Sequence, residues 1–379
     1  MSDGWIKACK TSDIEPEDVI RFDHGDHTFA IYRTSDNKFY ATDGLCTHQK
    51  VHLSGGFVMD HLIECPKHNG RFDFTNGHAQ GAPVCLALKT YPTKVEGDEV
   101  FIQLAGKFCD DILYFRSVWG LDDFATIEDK FKKIKSGGFD GVELDVPLDV
   151  ETCKRARQSL DELGLAVVAQ QWRTSGKTVA EHQAGFAQQY ERALLLKPLY
   201  LNSHTGCDHF TLEENLAIFD YTNGLAAKHG VPVYHETHRG RALFSAPATM
   251  QFLDARPELK LVADFSHWCC VHESLLADQA ERVEHATKNT YVIHARVGHA
   301  EGPQIPDPRD AFWQPNLEAH LAWWKRIAPH RRAEGCAILP VCPEFGPAPY
   351  MTLLPHTRKP IADLWEVNCF MRDWLRKNL

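Results

Sequence analysis

Between residues 112 and 377 a strand-sized apolar run is followed by a helical stretch eight times in succession, and few architectures accept that rhythm. The expected pairs are 112–115 with 123–136, 141–145 with 150–163, 166–170 with 178–196, and 199–202 with 212–229. They continue as 232–236 with 246–255, 259–264 with 273–286, 290–295 with 316–328, and 337–341 with 362–377. Short apolar runs suit strands covered on both faces, and the helices between them force parallel pairing. Eight such units over roughly 270 residues match the length and order of a closed (β/α)8 barrel. An open doubly wound sheet competes, but it normally has fewer strands and a glycine-rich first βα turn, which this chain lacks.

The first hundred residues have a different texture. Short strands are expected at 19–22, 28–33, 39–41, 62–64, 93–96 and 100–104, separated by Asp-Gly, Gly-Gly and Asn-Gly pairs and without a helix-length periodic segment. The fold class is therefore multi-domain: a small all-β domain over 1–106, then an α/β (β/α)8 TIM barrel over 107–379, with the boundary in 105–111. A length of 379 residues agrees with more than one domain, and 44% hydrophobic residues is far above what disorder allows.

No apolar run approaches the ~20 residues that cross a bilayer. The first ten residues have no apolar signal core, so a cytoplasmic location without membrane contact is expected. The formal net charge is −10. Neither half has a basic excess, which argues against nucleic acid as a partner. A small-molecule substrate and a homo-oligomer are expected. The 12 Cys and 21 His are the unusual counts. Without an export signal the cysteines read as thiols or ligands rather than a disulfide framework. Cys269, Cys270, Cys336 and Cys342, in apolar strand-like stretches, are expected as core fillers.

Cys46-Thr47-His48 and Cys65-Pro66-Lys67-His68 put two Cys/His pairs on separate loops of the β domain. Two thiolates on one iron and two imidazoles on the other would hold a [2Fe–2S] cluster. Zinc also accepts Cys2His2, but its usual spacing sets the paired His on a helix, which this region lacks. With Ser54-Gly55-Gly56 and the Asn69-Gly70-Arg71-Phe72-Asp73 turn, the segment resembles the Rieske family over about its first 105 residues. The resemblance implies Cys46, His48, Cys65 and His68 as cluster ligands, and a reductase or oxygenase as redox partner. Respiratory members carry a disulfide-forming Cys in each ligand loop. Val51 and Lys67 stand in those places here, which implies the ferredoxin type found beside oxygenases. His52, His61 and His78 lack ligand spacing and are expected on the surface.

Barrel chemistry gathers at the C-terminal ends of the strands. Strands five to eight end near Glu236, Asp264, His294 and Glu344. Three carboxylates and one imidazole form an oxygen-rich site for Mn, Mg, Co, Zn or Fe. Uncompensated, such groups repel one another, which argues for a cation among them. Each alone could instead cap the following helix. Glu143, ending strand two, could be a further base, an outer partner or a salt bridge.

The order Glu, Asp, His, Glu, with His267 three residues after Asp264, resembles the xylose-isomerase-like superfamily in its sugar-phosphate isomerase/epimerase branch, over about 110–379. The resemblance implies that metal-bound Glu236 and Glu344 remove and return a proton on a hydroxy-ketone. It also implies substrate contacts from His238, Arg239, His267 and Arg296. Members acting on free ketoses carry a second Glu six residues after the strand-five Glu. Ala242 stands there, and Arg239 and Arg241 suggest an anionic substrate. Trp119, Trp172, Trp268 and Trp313 are expected in loops that could wall the pocket, and 297–315 is long enough for a lid.

Proton transfer needs no external electrons, so the cluster raises a question. The barrel could be an isomerase or lyase whose ferredoxin serves a separate oxygenase. The cluster could instead feed a barrel-bound iron for oxygen-dependent chemistry. In a third, non-enzymatic reading the barrel is a docking scaffold on an electron carrier.

Overall fold

A computed structural model describes residues 5–25, 27–80, 83–84, 87–103, 111–334, 336 and 338–379. The chain divides into two compact units, Met1–Phe108 and Cys109–Leu379. The expected boundary at 106/107 lies outside the described residues, as do Leu104 and Ala337 at the ends of two expected strands.

The first unit is built from β1 (Trp5–Lys10), β2 (Asp18–His24), β3 (His27–Arg33), β4 (Phe39–Asp43), β5 (Phe57–Met59), β6 (Leu62–Glu64), β7 (Arg71–Asp73), β8 (Thr90–Tyr91), β9 (Thr93–Glu96) and β10 (Glu99–Gln103). They form three antiparallel sheets in the orders β1-β10-β9, β2-β3-β4-β8 and β5-β6-β7. β3 shows why its sequence is a continuous apolar run. Its side chains alternate between two cores, Phe29 and Ile31 joining Val100 and Ile102, while Ala30 and Tyr32 join Cys46, Cys65, Phe72 and Phe74. β1, β5, β7 and β8 lie outside the expected strands. β5 and β7 each have three residues and one buried side chain, Val58 or Phe72, too little for an alternating pattern.

The second unit is a closed parallel barrel of eight strands, β11 pairing with both β12 and β18. In order its elements are β11 (Asp111–Ser117), α1 (Ile127–Ser136), β12 (Gly141–Asp145), α2 (Val150–Leu163), β13 (Ala166–Gln171), α3 (Val179–Leu194), β14 (Leu201–Ser203), α4 (Leu212–His229), β15 (Val233–Glu236) and α5 (Ala246–Ala255). They continue with β16 (Leu261–Ala263), α6 (Phe265–Val271), α7 (Ala280–Lys288), β17 (Thr290–His294), α8 (Gln314–Ala333), β18 (Ile338–Cys342) and α9 (Leu364–Asn378). Local chemistry sets many of the helix starts. Thr178 with Glu181 and Thr211 with Glu214 form capping boxes on α3 and α4, and Asp149 and Ser245 cap α2 and α5. Each cap stabilises its helix by about 1 kcal/mol.

Several expectations for this unit change. The helix expected at 273–286 starts at Ala280, and an unexpected α6 follows β16 directly because Asp264 caps it, its side chain accepting from the Ser266 N–H at 3.1 Å. Trp268 is therefore a fully buried helix residue, not a loop residue, its indole donating to the Leu243 carbonyl at 3.0 Å. Cys269 and Cys270 ride on the same helix, only Cys269 being buried, while Cys342 fills the barrel wall from β18 and Cys336 is half-buried outside any strand. The connection 297–315 is anchored rather than free: Val297 and Ile305 are buried, and Gln304 exchanges hydrogen bonds of 3.1 and 2.7 Å with the Gly346 backbone. Gly298 presses so closely on α6 that a Cβ there would meet the Ser266 carbonyl at 2.7 Å. Among the described residues no helix is long and apolar enough to cross a membrane.

Candidate metal centres

β15 ends in Glu236, Asp264 follows β16, β17 ends in His294 and Glu344 lies just past β18. One ligand atom from each of these four residues lies within 4.8 Å of the others, and all four are buried. Two residues before them the chain places Tyr234, Val262, Val292 and Cys342, which belong to one apolar cluster. Because strand side chains repeat every second residue, that layer lies deeper in the barrel and the polar groups cap it.

The side chains fit a divalent cation. His294 Nε2 meets Glu143 Oε2 at 2.8 Å, which leaves Nδ1 facing Glu344 Oε2 at 2.9 Å and Glu236 Oε2 at 3.5 Å. Glu236 Oε1 is buried without a hydrogen-bond partner among the described residues, while His294 Nδ1 and Glu344 Oε2 have their mutual 2.9 Å approach and, for Glu344, Arg296 at 3.5 Å. Buried polar atoms so thinly satisfied are costly, and a cation would serve all three together. The electrostatics agree. Burial alone would lower the His294 pKa, yet Glu143, Glu344 and Glu236 raise it well above the ordinary value, so the centre attracts positive charge. Burial works against ionising Glu236 and Glu344, but His204 and His294 pull the first well below its usual value, and His294 and Arg296 lower the second. Burial instead wins at Asp264, which rises to about 6 despite Arg296, and at Glu143, raised despite His294.

Of the four side chains expected at the substrate, two are already engaged. Arg296, fully buried, contacts Asp264 Oδ2, donates to His267 Nε2 at 2.8 Å and to Ser266 Oγ at 3.2 Å, and so orients Asp264. His238 and Arg239 are only half-buried; the His238 ring packs 3.9 Å from His267, and the Arg239 guanidinium lies 5.2 Å from the Tyr350 ring centre. Arg241 donates to the backbone carbonyls of Trp172 and Thr174 at 2.7 and 3.1 Å. Trp119 packs edge-on to Tyr350 at 5.1 Å, Trp172 is exposed, and Trp313 sits half-buried in a 3-10 turn.

Several participants carry no role in the sequence reading, although Asn202 and His204 stand at the expected end of strand four. Asn202 donates to Glu236 Oε2 at 2.7 Å, and His204 Nε2 approaches the same oxygen at 3.0 Å. Both close the fourth barrel strand, so the strand-end rule was the available signal. Tyr350, packed over Arg296 at 4.8 Å, comes from the loop after β18, where no pattern marks it.

The first unit presents the Cys/His motif on two loops closed in the same way. The Cys46 N–H donates to the Val51 carbonyl at 2.8 Å and the Lys50 N–H to the Cys46 carbonyl at 2.9 Å; the Cys65 N–H donates to Gly70 at 2.8 Å and the Asn69 N–H to Cys65 at 3.0 Å. Each turn needs a left-handed residue, supplied by Lys50 (φ 53°) and Asn69 (φ 57°). Gly56 lets the chain pass β6, since a Cβ there would lie 2.2 Å from the Glu64 carbonyl. Cys46 and Cys65 are buried, whereas His48 and His68 are exposed with ring centres 5.0 Å apart. Burial raises the Cys46 thiol and the neighbouring Cys65 adds to it. Two buried facing thiols and two outward imidazoles fit a cluster with one inner and one outer iron. His61 and His78 are exposed, but His52 is a half-buried structural residue, accepting from the Ser54 N–H at 3.0 Å and bonded to Thr28 Oγ1 at 2.8 Å.

Residues 4–92 match the family model of the Rieske [2Fe-2S] domain. The ferredoxin component of the naphthalene 1,2-dioxygenase system of Pseudomonas aeruginosa is 42% identical over 105 residues, which are 28% of this chain and 100% of that protein. Through its first unit, the chain belongs to the Rieske family. The Rieske domain is also 33% identical over 100 residues to the ferredoxin component of biphenyl 2,3-dioxygenase from Rhodococcus jostii (strain RHA1), covering 26% of this chain and 92% of that one. Among solved structures, the complex of reduced oxygenase and oxidized ferredoxin in carbazole 1,9a-dioxygenase matches at 33% identity with a TM-score of 0.27, over 28% of this chain and 99% of that chain. The Rieske domain is an electron-transfer module for a [2Fe–2S] cluster, and the two loops around Cys46 and Cys65 carry the residue types that such a cluster needs.

Proposed function

We propose that the chain joins a Rieske ferredoxin, exchanging electrons with an oxygenase or reductase, to a divalent-cation-dependent isomerase, epimerase or related lyase of the xylose-isomerase-like type. Relatives that serve dioxygenase systems support the first half. The second half rests on the convergence of Glu236, Asp264, His294 and Glu344 within 4.8 Å at the strand ends of the barrel.

A divalent cation held there would polarise vicinal substrate oxygens and acidify the C–H between them. The proton is then handled by the chain's own carboxylates. Glu236, its Oε2 oriented by Asn202 and His204, would remove the proton. Glu344, beside the same His294 nitrogen, would return the proton. General base catalysis of this kind contributes about 10²–10⁴-fold. Half-buried Arg239 beside Tyr350 supports a small anionic hydroxy-keto substrate.

The test combines metal analysis, EPR of the reduced protein and solvent deuterium. Cluster iron plus Mn, Co or Zn in the barrel is expected, with protein-dependent wash-in of deuterium into hydroxy-ketones or hydroxy acids. Iron as the barrel metal with no wash-in for any of them rejects the proton-transfer half.

A further inference from the structure

We infer that the barrel holds a second cation site, formed by His204, Glu236 and His238 and sharing Glu236 with the first. The inference rests on the metal-dependent reading above and extends it from one cation to two.

One ligand atom from each of His204, Glu236 and His238 lies within 4.8 Å of the other two. The chain delivers them from neighbouring strands: His204 follows β14, and His238 comes two residues after Glu236 at the end of β15. His204 Nε2 stands 3.0 Å from Glu236 Oε2, and the two imidazole rings lie 4.4 Å apart.

The decisive residue is His238. Its Nδ1 donates to the Arg239 carbonyl at 2.6 Å. In a neutral imidazole that leaves Nε2 as the lone-pair nitrogen, and a backbone carbonyl fixing the far nitrogen is how proteins orient ligating histidines. A hydrogen bond to Glu236 explains His204 without any cation. It does not explain His238, whose remaining nitrogen has no proton to give to a carboxylate. A lone pair and a carboxylate gathered in one cluster repel each other, and a cation placed between them turns that repulsion into ligation.

The ligand types differ from those of the first site. Two imidazoles and one carboxylate suit borderline cations such as Zn(II) or Fe(II), whereas three carboxylates and one imidazole suit harder ones. Two cations bridged by a carboxylate stand about 3.5–4 Å apart and can hold adjacent oxygens of one substrate.

The test is Zn(II) stoichiometry on the full chain with its cluster intact, stripped with a chelator and dialysed against Zn(II). Two zinc equivalents are expected for the natural sequence, and one for the His204→Ala/His238→Ala double variant. A single equivalent in the natural sequence overturns the second site and leaves the first standing; none overturns both. Two equivalents retained by the double variant overturn the assignment to these histidines. Should that variant not fold, anomalous scattering from zinc-loaded crystals of the natural sequence decides. Two peaks flanking Glu236 support the inference, and one peak ends it.

Discussion

His294 gives its Nε2 to Glu143 Oε2 at 2.8 Å and turns its Nδ1 toward Glu344 Oε2, 2.9 Å away. When a cation displaces the second proton of His294, an ionised Glu143 can only accept, so the remaining proton sits on Nε2 and the lone pair on Nδ1, where the carboxylates converge. Glu143 thereby selects the tautomer that can bind a cation. Replacing it by Leu should weaken Zn(II) binding to the barrel by about 10–100-fold, the usual effect of removing a partner that orients a ligating histidine. Glu143→Gln keeps an acceptor and should lose less. Zinc titration of chelator-stripped protein checks both, and equal affinity in all three forms would remove Glu143 from this role.

The sequence makes some parts of this arrangement plain and hides others, for physical reasons. α2, α4 and α5 run over the expected residues because Asp149, Thr211 and Ser245 announce their starts through local chemistry. The four residues Glu236, Asp264, His294 and Glu344 are legible because successive barrel strands end on one rim. α6 was hidden because Asp264 closes a strand-like run and also caps the next helix, so a single residue carried two signals. The engagement of Arg296 with Asp264 and of Arg241 with the carbonyls of Trp172 and Thr174 depends on partners far along the chain. Spacing shows that an arginine is present, not what already holds it.

The two units should lose their metals independently. Cys65 is buried in the core of the Rieske domain, whereas the barrel carboxylates belong to the other unit. Cys65→Ala is expected to abolish the EPR signal of the reduced protein while zinc binding to the barrel stays unchanged. His68→Cys offers a finer measure. Imidazole ligation holds such clusters between about −150 and +300 mV, against about −400 mV for all-thiolate ferredoxins, so the potential should move downward. Potentiometric titration reads the shift, and an unchanged potential in a cluster-containing variant would remove His68 from the ligand set.

Acid should destabilise the barrel through two buried histidines. Burial pushes His235, paired with Thr205 Oγ1 at 2.7 Å, down to about 3. It pushes His320 down to about 4, its bond to the Asn316 carbonyl offsetting part of the effect. Unfolded, both would titrate near ~6.5. Between those values the unfolded chain binds more protons, so stability is full above about 6.5 and falls as the pH drops toward 4. The slope approaches about 1.4 kcal/mol per pH unit for each group. Denaturant unfolding followed by tryptophan fluorescence at pH 7, 6 and 5 should show a falling midpoint, and His320→Gln should flatten the trend. A midpoint independent of pH over that range contradicts the assignment.

The division of labour between Glu236 and Glu344 can be separated from cation binding. Both face His294 Nδ1, at 3.5 and 2.9 Å, so either could ligate without moving a proton. Glu236→Gln and Glu344→Gln keep an oxygen for the cation but remove the basic carboxylate. Each variant should therefore retain most of its zinc while deuterium wash-in falls by about 10²–10⁴-fold, the contribution of a positioned general base. Asp264 offers the contrast. It is held through both oxygens by Ser266 and Arg296, bonds that an amide cannot all accept, so Asp264→Asn should lose cation affinity and activity together. Wash-in that follows zinc content in all three variants would mean that these carboxylates only hold the cation and that the base lies elsewhere in the pocket.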